Sequence, residues 1–122
     1  MTRLHSILTR YAMRAIFVLV LCALLYAGLR QNPVPELFHE EDKLYHLIGF
    51  AAFIACARMA FPRGAWWWQA AGALALGGGI ELVQNLQPAR VGSIWDFLFD
   101  ALGVGAGLLL VRLPVFRQLD EP

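Results

Sequence analysis

Cysteine, charge and histidine are all scarce in these 122 residues, and each scarcity removes a class of protein. Cys22 and Cys56 both sit inside apolar runs, where a thiol packs as a small hydrophobe, so neither a disulfide nor a zinc site is expected. The net charge is +1 and no basic stripe exists to neutralise phosphates, which excludes a nucleic-acid partner. Of the three histidines, His5 and His39 fall in a terminal segment and a loop, leaving His46 as the one with a chemical case. Without a second histidine at ligand spacing, no metal and no cofactor is expected. No nucleophile-elbow motif occurs. Proline is missing from the interior of every apolar run, which is what uninterrupted helices require.

What is present is hydrophobic: 59% of residues are apolar, and mean hydropathy is +0.57. A crossing takes about 20 apolar residues, so four helices consume about 80 positions and leave about 40 for loops. The expected fold is all-α, a single integral membrane four-helix bundle over residues 1–122, with helices at about 11–29, 44–61, 66–86 and 93–111. A cleaved signal peptide is the alternative for the first run, but Tyr11 to Met13 extend the run and favour a retained helix. Trp66, Trp67 and Trp68 open the third run and suit a membrane interface.

Lys and Arg divide unevenly between the loops. Arg3, Arg10, Arg14, Arg58, Arg63, Arg112 and Arg117 fall on one side and Arg30, Lys43 and Arg90 on the other, which predicts cytoplasmic N- and C-termini.

That topology brings the polar residues to the outer surface. Asp42 and His46 are four apart at the start of the second helix, and Glu81, Gln84 and Asn85 share a face near the end of the third. Ser93 and Asp96 match an N-cap with a first-turn carboxylate. Asp96, Asp100, Gly103 and Gly107 follow at spacings of four, three and four, one stripe whose glycines admit a close neighbour. Gly77, Glu81 and Gln84 repeat the pattern, as do His46, Gly49 and Phe53. The first helix offers only Cys22, Ala23 and Ala27 as small residues and is expected to form an outer wall. The result is an outward-facing polar pocket lined by Asp42, Lys43, His46, Glu81, Gln84, Arg90, Ser93, Asp96 and Asp100.

The series Asp42-Lys43-x-x-His46, Glu81-x-x-Gln84, Pro88-x-Arg90-x-x-Ser93-x-x-Asp96, then Gly103 and Gly107, resembles the VanZ-like family of small bacterial membrane proteins. The match covers about residues 42–107. Two positions depart: the family usually has asparagine where Asp100 stands, and often glycine where Ala89 stands. The resemblance implies a multi-pass protein of the bacterial inner membrane. The family's founding member is associated with teicoplanin resistance, so envelope or glycopeptide-resistance biology is implied.

Three uses of the pocket stay open. One is structural: Arg90 paired with Asp96 or Glu81, Lys43 with Asp100, His46 hydrogen-bonded to Asp42, and Ser93 as cap. The second is binding of a lipid-linked precursor, phospholipid or lipoglycopeptide, with Arg90 and Lys43 on its phosphate or carboxylate. The third is catalysis, hydrolase or transferase, with His46 as general base and Glu81 as acid.

Overall fold

The computed structural model describes residues 2–30, 41–87 and 93–118. It is all helical: α1 (Thr2–Leu29), α2 (Glu41–Ala60), α3 (Trp66–Leu86), α4 (Ile94–Leu110) and a short α5 (Pro114–Gln118). Arg90, Pro88, His39 and the acidic stretch before Glu41 lie outside the described residues.

α1 begins at Thr2 instead of near residue 11. The chain contains no proline or glycine before Gly28, so nothing interrupts helical hydrogen bonding through the basic segment. At 28 residues and 1.5 Å per residue it is about 42 Å long. α2 takes in Glu41 and Asp42 at its positive end and keeps Arg58 in its last turn, both favourable to the helix dipole. Pro62 cannot continue that helix, and Gly64 N donates to Phe61 O across a tight turn (3.0 Å) into α3. Ser93 caps α4 as expected: its Oγ accepts from Trp95 N at 3.2 Å. α5, led by Pro114, was not anticipated.

α2 is the central element, packing most extensively against α4 and also against α1 and α3. The core comprises Phe50, Phe53, Ile54, Ala73, Ile80 and Val104. Phe17 of α1 stacks on Phe53 with ring centroids 5.1 Å apart. The α4 stripe behaves as its spacing predicts: Asp96, Asp100, Gly103 and Gly107 are all buried. A Cβ on Gly103 would collide with Leu47 O, and one on Gly107 with Ala51 O and Ile54, so these glycines set the approach of the two backbones.

Two packing expectations need correction. The α2 face against α4 is Leu47, Phe50, Ala51 and Ile54, whereas Gly49 turns toward Leu24 of α1. On α1, Cys22, Ala23 and Ala27 are exposed, and the close contact is made by Gly28 against Ile80 of α3. α1 nevertheless lies at the periphery, with no fully buried residue.

Among the described residues, α1 and α2 are each long and apolar enough to cross a membrane. α4 has 17 residues, and α3 is diluted by Gln69, Glu81, Gln84, Asn85 and its glycines. Both cysteines are free, Cys22 exposed and Cys56 partly buried.

Candidate functional site

Four helix termini meet at one end of the bundle: the ends of α1 and α3 and the starts of α2 and α4. Gln84 Nε2 donates to Gly28 O (3.0 Å) and Gln87 Nε2 to Leu29 O (2.8 Å), which ties α3 to the last turn of α1. Ser93 N donates to Glu81 Oε2 at 2.7 Å and fastens the start of α4 to α3. The Ser93 hydroxyl caps its own helix while its amide holds the neighbouring one.

His46 is the centre of the cluster. Its Nδ1 shares a 2.6 Å hydrogen bond with Asp100 Oδ1, and its Nε2 lies 3.9 Å from both Asp42 Oδ2 and Asp96 Oδ2. The expected hydrogen bond from His46 to Asp42 is therefore replaced by one to Asp100, because α4 sits close enough for its second turn to reach the imidazole. Asp100 is seven residues past the cap, about 10 Å along the helix. It is fully buried.

Gly77 makes room for that carboxylate. A Cβ there would stand 2.6 Å from Asp100 Oδ2 and 3.3 Å from the Phe50 ring. The three polar helices are thus keyed to one another, with α3 supplying the bare backbone against which the α4 carboxylate lies.

Of the nine predicted pocket residues, five converge directly: Asp42, His46, Glu81, Asp96 and Asp100 supply ligand atoms to two groups of three that share His46. Within each group the ligand atoms all lie within 4.8 Å of one another. Ser93 joins through its amide. Lys43 is partly buried, and its charge acts on Asp96. Gln84 is buried but spends its amide on α1. Arg90 lies outside the described residues. Asp100 takes its hydrogen bond from His46, where the sequence suggested Lys43.

Glu41 was missed. The second helix was expected from about residue 44, yet Glu41 is buried in the first turn of α2 and accepts a hydrogen bond from Tyr45 Oη. Its four-residue spacing from Tyr45 was the available signal. Gly77 was noted only as a small residue, and its seating of Asp100 could not be inferred without the α3–α4 register.

Beside the cluster, α3 and α4 leave a cavity of about 610 Å³, mainly apolar, lined by Ala75, Gly78, Gly79, Leu82 and Phe97 with Glu81, Asn85 and Ser93 at its polar margin. Gly79, Leu82, Asn85 and Ile94 along it are exposed, so it opens sideways from the bundle.

No family model, curated protein or solved structure matches the chain.

Proposed function

We propose that the chain is a VanZ-like protein of the bacterial inner membrane in which all four long helices cross the bilayer. Its polar end would receive the head group of an amphiphile whose hydrocarbon chain lies in the α3–α4 groove. One observation carries this reading: an apolar slot lined by glycines opens sideways and ends at Glu81, Asn85 and Ser93, beside the His46 cluster. A slot with one wet end and one dry, laterally open side fits an amphiphile better than a water-soluble solute.

The burial pattern supports four crossings despite the modest average hydropathy of α3 and α4. Asp96, Asp100, Glu81 and Gln84 all point inward, whereas the outward positions are Ile94, Leu98, Leu102 and Leu109 on α4 and Ala71, Ala75, Leu82 and Leu86 on α3. A sliding average mixes the two faces; lipid meets only the second. Such extensive exposed apolar surface needs a nonpolar solvent. The division of Arg and Lys then sets both termini in the cytoplasm and the His46 cluster at the outer face.

Catalysis is the second reading, and one contact favours it: Asp100 engages Nδ1 and leaves Nε2 without a hydrogen bond, 3.9 Å from both Asp96 and Asp42, the latter the most exposed acid of the cluster with 47% of its side chain accessible. An imidazole oriented at one nitrogen and not hydrogen-bonded at the other can act as a general base. Ser93 is a poor nucleophile, since its hydroxyl already caps α4.

Both are tested by incubating the purified chain in lipid nanodiscs with isotope-labelled lipid-linked envelope precursors and anionic phospholipids, followed by mass spectrometry. Retention of an intact lipid, lost in Glu81→Gln and Arg90→Ala, is the expected result. A covalently changed product would assign an enzyme, and neither retention nor turnover would leave only the structural network.

A further inference from the structure

The polar cluster is unbalanced. Four carboxylates, Asp42, Glu81, Asp96 and Asp100, surround one imidazole, with the Lys43 charge acting on Asp96. Two carboxylate oxygens, Glu81 Oε1 and Asp100 Oδ2, are buried without a hydrogen-bond partner among the described residues. Their residues are 7% and 0% exposed. Buried polar atoms are nearly always satisfied, so two orphaned oxygens in one site call for a cause. A cation would satisfy both at once.

We propose that His46, Glu81 and Asp100 form a binding site for a first-row transition-metal dication. Each residue offers one ligand atom, and the three atoms lie within 4.8 Å of one another, a separation that ligands on a common metal ion take. One imidazole nitrogen with two carboxylates is the donor set of zinc, cobalt, manganese or iron rather than of magnesium or calcium, which take oxygen alone. On entry the cation takes an imidazole nitrogen of His46 and the Asp100 carboxylate as ligands, the 2.6 Å hydrogen bond between them opens, and its proton leaves to solvent.

The supporting contacts are built for this. Ser93 N holds Glu81 through Oε2, which orients the carboxylate and leaves Oε1 as the free donor. Gly77 lets Asp100 Oδ2 lie against α3, where a side chain would push it out of the site. The two orienting features come from different helices and act on the two different orphaned carboxylates. The site does not depend on the amphiphile reading, because it rests on the orphaned oxygens and the convergence of the three side chains. If both hold, the dication would explain how an acid-rich end accepts an anionic head group.

Co²⁺ is the suitable probe, since its visible spectrum distinguishes nitrogen and oxygen ligands from thiolate. The full chain, purified in detergent and stripped with chelator, is titrated with Co²⁺ and no added lipid. Expected is one tightly held equivalent by elemental analysis, with d–d bands and no thiolate charge-transfer band, which separates the site from Cys22 and Cys56. Glu81→Gln should weaken binding at least tenfold while keeping an acceptor for Ser93 N, so circular dichroism and gel filtration should match the parent. Asp100→Asn serves as the second variant should the first not fold, with the same tenfold loss expected. No retained Co²⁺ on the folded parent overturns the proposal. So does undiminished binding in a folded Glu81→Gln or Asp100→Asn protein, as does a loss confined to Asp42→Asn. Lipid retention, measured separately, can fail or succeed without changing this result.

Discussion

The two ends of the bundle handle polar side chains in opposite ways. At the arginine end, Arg58 Nη1 donates to Gly64 O (2.6 Å) and to Gln69 Oε1 (3.0 Å), Arg14 Nε donates to Ala60 O (3.3 Å), and the Arg14 guanidinium lies 5.1 Å from the Phe61 ring centre. Trp66, Trp67 and Trp68 beside them are exposed. Every one of these contacts closes a helix end or lies on the surface. At the histidine end Glu81, Asp96 and Asp100 are buried, the polar groups face one another across three helices, and two carboxylate oxygens have no partner among the described residues. The first arrangement is what anchoring at an interface requires. The second adds nothing to anchoring and costs desolvation, which supports the proposed use of this end as a binding site.

That contrast can be broken by substitution. The largest effect should come from His46→Ala, which leaves Asp100 buried with no counterpart; a loss of about 3–5 kcal/mol is expected in reversible unfolding. If the loss is below about 1 kcal/mol, the histidine end is no more coupled than the surface. Next is Gly77→Ala, whose Cβ displaces the Asp100 carboxylate, with an expected cost of about 1–3 kcal/mol. Gly72→Ala on the same helix meets nothing within 4 Å and should be neutral or gain up to about 1 kcal/mol from helix propensity. An equal response at both glycines would contradict the placement of Asp100 against α3. The smallest effect is predicted for Arg58→Ala at the arginine end, below about 1 kcal/mol, because its contact with Gly64 is exposed and that with Gln69 only partly buried. A larger loss there would mean that this end, too, is a built network.

The sequence made the α4 stripe legible because four buried positions at spacings of four, three and four can occupy only one helical face. The face of α3 was legible for the same reason, and the start of α4 because Ser93 has a capping role wherever the chain goes afterward. α2 was misjudged: Gly49 invited a contact that belongs to α1, and a shift of one residue turns a helix by about 100°. Gly28 went unnoticed since α1 carries no polar marker for its inner face. The His46–Asp100 bond depends on how deeply α4 sits beside α2, an approach that Gly103 and Gly107 allow because they carry no Cβ to meet the α2 backbone, and which is invisible in spacing alone. Of Arg90, the loop residue that sequence made central, the described residues say nothing.

The central claim is that side chains distant in sequence act on one another at the histidine end. A double-mutant cycle between His46→Gln and Asp100→Asn, with Arg58→Ala and Gln69→Ala as the cycle for the opposite end, measures it directly. The account predicts a coupling of about 1–3 kcal/mol for the first pair and below about 0.5 kcal/mol for the second. Additive effects of His46 and Asp100 in a folded protein would contradict it.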